Sequence, residues 1–193
     1  NLASHSGQTA LVTFVSLVAR MGVQVYLDVS EIPTVGKQPP LRGNFLKDGL
    51  VDFGNDLIPG SIVREGRSDK PDLAFVMGDT PDARLEIPSW RLVGGSWIGE
   101  IIPIEFGGTR WKDSWPVGSM AAAALAAAEV FKAVVRLLQP KSHRFENLLT
   151  KLTPKAVWDF GSQCSAPESL EVDSCDFISA GAINQALLFA ILR

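Results

Sequence analysis

The stretch that decides the fold is residues 176–193, which read DFISAGAINQALLFAILR. A short apolar run ends in the small-residue turn 179–182, and a long apolar run without a helix breaker follows. This order predicts a strand, a tight turn and a helix. The backbone N–H groups of such a turn, and of the first turn of the helix, are free to bind a phosphate.

Four residues of this turn are candidate nucleotide-binding residues, and they are Ser179, Gly181, Ala182 and Asn184. A full glycine fingerprint has glycine at positions 179, 181 and 184, and only Gly181 matches it. Two interpretations therefore stay open: a phosphate-binding turn, or a strand-to-helix turn without a ligand. Both predict an α/β, Rossmann-like fold with a mostly parallel central sheet flanked by helices.

The beginning of the chain repeats this pattern weakly. Residues 6–22 have apolar side chains at helical spacing and stop at a glycine, and residues 23–29 alternate as in a strand. The small residues around Gly7 precede this helix as those around Gly181 precede the last one. Asp28 ends the strand where Rossmann-like folds place a carboxylate on ribose. Gly7 and Asp28 are therefore candidate ligand-facing residues, although Asp28 also fits a simple strand end.

The middle of the chain predicts loops, one strand and a hairpin. Residues 33–70 are rich in Pro, Gly, Asp and Asn, which favours loops with one or two short strands. Residues 72–79 form a continuous apolar run, as expected of a central parallel strand. Asp79 at its end is a further candidate ligand-facing residue or a turn aspartate. Residues 90–104 predict an added β-hairpin around the turn 94–96.

The longest predicted helix covers residues 120–139, with Ser119 as N-cap and Pro140 as terminator. Its alanines allow close backbone packing. Charged residues interrupt this apolar stretch, so a buried helix is expected and not a membrane span.

Composition excludes several classes of protein. The chain has 193 residues, is 46% hydrophobic and carries a net charge of −3. Because no basic tract is present, no nucleic-acid partner is expected. The two cysteines and two histidines lack zinc spacing, so no metal site is expected. We expect a cytoplasmic protein with free thiols. Asn1 and Arg193 look like cut ends, which predicts a portion of a longer protein.

Residues 118–133, GSMAAAALAAAEVFKA, resemble the small-residue helix of ThiF-type adenylyltransferases, the relatives of ubiquitin-activating enzymes. Residues 176–183 resemble the strand and glycine turn that open the adenylation domain of that family. The resemblance implies a degenerate Rossmann-like domain over 1–165, followed over 166–193 by a linker and the first strand, turn and helix of a truncated adenylation domain.

The same resemblance implies a function. ATP and Mg²⁺ would be the cofactors once the downstream domain is present, and a carboxyl terminus would be adenylated. A small ubiquitin-like or carrier protein and a homodimer are the implied partners. The first 165 residues would support this chemistry without performing it. Two alternatives stay open: a non-catalytic interaction or dimerisation domain, and an NAD(P)-dependent oxidoreductase.

Overall fold

Three α-helices and six strands make up the described part of the chain. The computed structural model describes residues 2–78, 85–106, 111, 115–138, 151–161 and 165. A 3-10 turn, Ala19–Met21, extends the first helix. In chain order the elements are α1 (His5–Val18), β1 (Gln24–Leu27), α2 (Leu46–Asp56), β2 (Ile62–Glu65), β3 (Ala74–Met77), β4 (Ser89–Gly94), β5 (Ile98–Pro103), α3 (Val117–Leu138) and β6 (Ala156–Asp159).

The strands form two sheets. β1 and β2 form a parallel pair, and the second sheet has the order β3-β4-β5-β6 with one parallel and two antiparallel pairings. The α/β class is therefore confirmed, but the described strands do not form one mostly parallel central sheet. The reason is the short turn between β4 and β5, because so short a connection joins only antiparallel neighbours.

Two strand predictions change accordingly. The hairpin is confirmed, but β4 and β5 are the inner strands of the second sheet and not an addition to it. Among the described strands, β3 pairs with β4 alone and lies at an edge of that sheet, not at its centre as predicted. All four residues of β3 are only half-buried. An apolar run of four residues does not distinguish an edge strand covered by helices from a central one.

Helix α2 connects β1 to β2 and completes a parallel βαβ unit. We predicted loops here, because the helix contains two glycines and several acidic residues, which lower helix propensity. Leu46 and Leu50 are one turn apart and fully buried, and their burial stabilises the helix. Gly54 allows close packing, since a Cβ there would lie 3.1 Å from the Cβ of Val63.

The predicted first helix is confirmed, and its start differs by one residue. Ser4 caps it, and it begins at His5, one residue before the predicted start. Gly22 ends the helical segment with a φ of 72° in the left-handed region, as predicted. No helix in the described ranges has the length and apolarity to cross a membrane.

Helix α3 packs against both α1 and the second sheet. It begins at Val117, so Ser119 lies in its first turn, fully buried, and is not the predicted N-cap. One cluster of buried side chains lies among α1, α2, β1 and β2, and α3 adds Ala127 and Val130 to it. Another joins Ala122 and Ala126 of α3 to the sheet. The alanines therefore let one helix contact two layers closely.

Candidate functional site

The candidate site lies where the parallel strands β1 and β2 end. In sheets of this kind the carboxyl ends of the strands are the usual place for a ligand. Asp28 directly follows β1, and its carboxylate accepts a hydrogen bond from the Nε–H of Arg67, which follows β2. Both side chains are largely exposed. An exposed pair contributes little to stability, but it gives the Asp28 carboxylate a partner within the chain.

The amino terminus of α2 opens onto the same edge, and Glu31 occupies it. Glu31 Oε1 accepts a hydrogen bond from the Lys47 N–H at 3.0 Å, and Oε2 accepts one from the Asp48 N–H at 3.3 Å. Phe45 at the N-cap position provides no side-chain hydrogen bond. A carboxylate from outside the helix thus satisfies the free N–H groups that would otherwise attract an anion.

The charges around α2 alter one another's ionisation. Desolvation acts to raise the pKa of Glu31, but the backbone hydrogen bonds from Lys47 and Asp48 outweigh it, so the pKa is lowered. The negative charge of Glu31, with desolvation, raises the pKa of Asp48. The hydrogen bond to Glu65, at 2.8 Å, raises the pKa of Lys47. At this edge the charges of Glu31, Lys47, Asp48 and Glu65 therefore interact with one another.

A pH dependence follows from the lowered pKa of Glu31. Its contribution to stability is present above the unfolded-state pKa, near 4.5, and is lost as the pH falls through the folded-state pKa. We expect Glu31→Gln to lower the thermal midpoint modestly at pH 7, with the difference from wild type shrinking towards pH 3. A side-chain hydrogen bond with Asp48 and the positive charge of Lys47 also act to lower the pKa of Glu31.

Thermal melts of both proteins at low salt from pH 7 to pH 3 measure this effect. Asp52→Asn, an exposed change on the same helix, is the matched control and should leave the midpoint unchanged. A difference that stayed constant down to pH 3 would show that the charge of Glu31 is not its source.

The amino terminus of α1 is closed by its own chain. The Gly7 N–H donates to Ser4 Oγ at 3.1 Å, and the Gln8 N–H donates to the Ser4 carbonyl at 3.1 Å. The indole N–H of Trp111 donates to Ser6 Oγ at 3.1 Å. Ser4, Ser6, Gly7 and Gln8 are all buried. Gly7, a candidate ligand-facing residue, therefore faces protein in this structure.

Two buried glutamines fix the segment 33–38 over this helix end. Gln8 Nε2 donates to the carbonyls of Leu2 and Pro33, and its Oε1 accepts from the Val35 N–H at 2.7 Å. Gln38 Nε2 donates to the His5 carbonyl at 3.2 Å. We did not predict these residues, because their partners are distant in the chain. The one available sign was the long amide side chain of Gln8 in a helix rich in apolar residues.

A second polar cluster lies between α3, β4 and the segment that precedes β6. Glu129 of α3 is buried, accepts from Lys132 Nζ at 2.6 Å and accepts from the Thr153 N–H at 2.8 Å. Lys132 Nζ also donates to Thr153 Oγ1 at 2.7 Å, and Trp90 Nε1 donates to the Thr153 carbonyl at 2.9 Å. These hydrogen bonds hold the segment before β6 against α3 and β4 and thereby stabilise the fold.

Two of the predicted site residues lie within the described part of the chain. Gly7 lies in α1 and Asp28 directly follows β1, and each has a hydrogen-bond partner within the chain. Asp79 and the terminal residues Ser179, Gly181, Ala182 and Asn184 lie outside the described residues. Within the described ranges, no three His, Cys, Asp or Glu side chains form a group that could hold a metal ion.

The fold and this edge define an α/β domain in which Gly7, Asp28 and the amino terminus of α2 have hydrogen-bond partners within the chain. The chain belongs to the BilD N-terminal domain family, whose model matches residues 2–146. No curated protein matches the chain.

Proposed function

We propose that this chain is the amino-terminal part of a ThiF-type, ATP-dependent activating enzyme and that residues 1 to about 165 support the chemistry without performing it. The observation that carries the supporting role is the closed edge of β1 and β2. Ser4 caps α1, Glu31 caps α2, and Arg67 pairs with Asp28. These described residues do not fit ATP or Mg²⁺, since the groups that would bind phosphate, ribose or metal already have partners.

Three further observations support the proposal. β1, α2 and β2 form a parallel βαβ unit, the repeating unit of Rossmann-like folds. We therefore propose that the domain is a degenerate member of that class. The alanine-rich helix, on which the resemblance mainly depends, lies between two layers, as a close-packed central helix should. The matched family is described as an N-terminal domain, which agrees with a role as the first part of a larger protein.

In this proposal the nucleotide binds at the turn that contains Ser179, Gly181, Ala182 and Asn184. The catalytic carboxylate and cations would come from residues after Arg193. The adenylated substrate would be the carboxyl terminus of a small ubiquitin-like or carrier protein. A carboxylate needs such activation, because its oxygen becomes a good leaving group only after it is joined to a phosphate. Stabilisation of the charge on the α-phosphate would be the main catalytic effect.

ATP–pyrophosphate exchange tests this proposal in a protein extended past Arg193 to include the following strands. We expect exchange that depends on a carboxyl-terminal substrate. Gly181→Asp should reduce it by about tenfold or more, because a carboxylate at the turn repels phosphate over a short distance. Asp28→Ala, the control at the closed edge, should retain wild-type exchange.

Two results would contradict the proposal. Absence of exchange with every carboxyl-terminal substrate would exclude adenylation. Loss of exchange in Asp28→Ala would place the active edge at β1 and would exclude a merely supporting domain.

A second function, that of a non-catalytic interaction or dimerisation domain, is favoured by β6. Among the described strands, β6 lies at an edge of the second sheet, and it has exposed apolar side chains. The nicotinamide alternative has less support. It depended on Asp28 as a ribose-binding carboxylate, and Asp28 is paired with Arg67.

A further inference from the structure

The amino terminus of α3 has buried polar groups that lack a hydrogen-bond partner among the described residues. They are the indole N–H groups of Trp97 and Trp115 and the hydroxyl group of Ser119. Ser119 is 0% exposed, and the two indole nitrogens are shielded from solvent. Buried polar groups in folded proteins nearly always have a partner, so a group of three without one points to a bound molecule.

The three groups surround one contact, which joins the tip of the β4–β5 hairpin to the start of α3. The ring centroids of Trp97, in the hairpin turn, and Trp115, just before the helix, lie 6.2 Å apart. Ser119 Oγ faces Gly94 at the end of β4, where a Cβ would lie 2.6 Å from it. Segments distant in the chain thus bring their unbonded donors to one helix end.

The first turn of α3 adds further donors and a positive potential. The helix has 22 residues, and its first turn contains no acidic side chain. The N–H groups of Val117, Gly118 and Ser119 have no acceptor within the helix and carry a partial positive charge. The Gly118 N–H donates to the Ser96 carbonyl at 3.2 Å. Pro116 precedes the helix and has no side-chain oxygen that could cap the other two.

The chemistry of these groups selects an anionic acceptor. Indole and backbone N–H groups donate and cannot accept, so they exclude a cation. A carboxylate has two oxygens with about four lone-pair sites, which is enough for all these donors. The helix end stabilises its charge, and hydrogen bonds to an ionised acceptor are stronger than those to a neutral one. Residues 94–99 and 115–119 contain no Lys or Arg, so the contact does not compensate the higher charge of a phosphate.

We infer that the contact between the β4–β5 hairpin tip and the amino terminus of α3 binds a carboxylate group. Trp97, Trp115 and Ser119 donate hydrogen bonds to it. The side chains of Trp97 and Trp115 are only half-buried although their nitrogens are shielded, so rotation of an indole admits a small carboxylate or the carboxyl terminus of a peptide. The site needs neither a nucleotide nor residues 176–193, so it goes beyond the adenylation proposed above.

NMR spectra of the 193-residue chain labelled with 15N-tryptophan test this site. Tryptophan-to-phenylalanine variants assign the signals, and sodium acetate is added at pH 7 against sodium chloride of equal ionic strength. We expect the indole N–H signals of Trp97 and Trp115 to move downfield in a saturable manner, because a charged acceptor draws their protons. Trp90 and Trp111, whose indole N–H groups already donate within the chain, are internal controls and should stay in place.

Replacement of Ser119 links the signals to the helix end. Ser119→Ala should raise the Kd for acetate about tenfold, the effect of losing one hydrogen bond to a charged group. Its fold should persist, because the lost hydroxyl has no partner among the described residues. Ser16→Ala removes a buried hydroxyl that donates to the Val12 carbonyl in α1, and this control should leave the Kd unchanged.

Two peptides distinguish the sources of the carboxylate: acetyl-Ala-Ala with a free carboxyl terminus, and the same peptide with a terminal amide. Binding of the free peptide shows that the site takes a polypeptide terminus, and binding of acetate alone identifies small free carboxylates; either result supports the inference. Equal binding of the amide would overturn it, because charge would then play no part. Equal shifts of all five indole signals, no shift, or an unchanged Kd in Ser119→Ala would overturn it as well.

Discussion

Replacement of Gly99 by alanine is expected to lower the free energy of unfolding by about 3 kcal/mol, because β5 has no room for a side chain there. A Cβ at Gly99 would lie 2.7 Å from the Cβ of Ala121 and far inside van der Waals contact of the Gly118 carbonyl oxygen and the Ala122 nitrogen. Two of these three atoms are backbone, so α3 must move as a whole to relieve the clash.

Guanidinium unfolding of the wild type and the variant measures this loss. Gly95→Ala is the matched control in the same hairpin, because among the described residues a Cβ there would meet only the Ile98 carbonyl oxygen, at an ordinary 3.5 Å. Its effect should be below about 0.5 kcal/mol. Equal losses for the two variants would show that α3 is not seated against β5 as described.

Removal of the Glu129 carboxylate is the second change with a large expected effect. We expect Glu129→Ala to lower the free energy of unfolding by about 2 kcal/mol, since it leaves the Thr153 N–H without its acceptor and the Lys132 ammonium without its carboxylate. The Glu129 side chain is 3% exposed and that of Lys132 is 23% exposed. Partial access of water to Lys132 keeps the loss below that of a fully buried pair.

Thermal and guanidinium unfolding check this value against Arg136→Ala. Arg136 lies on the same helix and is exposed, so its replacement should change stability by less than about 0.5 kcal/mol. If Glu129→Ala were as stable as Arg136→Ala, the cluster around Thr153 would contribute nothing to the fold. The same conclusion would follow if the segment before β6 kept its protection from hydrogen exchange in Glu129→Ala.

Elements with a local pattern could be predicted. The apolar spacing of α1 and α3, the stop at Gly22 and the turn of the hairpin are set by neighbours a few residues apart. Helix α2 could not be predicted, because its composition disfavours a helix and burial of Leu46 and Leu50 stabilises it instead. The edge position of β3 also depends on pairing with β4, which no local pattern encodes.

The candidate site was predictable only at its exposed carboxylate. Asp28 follows an evident strand, so its place at the edge of β1 could be inferred. Glu31 and Gln38 could not, because their partners are 16, 17 and 33 residues away in the chain. These distant contacts determine whether the edge can bind an anion, since the backbone N–H groups of Lys47 and Asp48 already donate to Glu31.

The sequence by itself determined the α/β class, since helical and strand periodicities alternate along the chain. It also determined where close packing would occur, because glycine and alanine are the residues that allow it. The tertiary structure alone decided that the strands divide into two sheets and that the carboxyl edge of β1 and β2 is closed. The physical reason is that strand pairing and helix capping are contacts between distant segments, whose energies depend on geometry that no single segment contains.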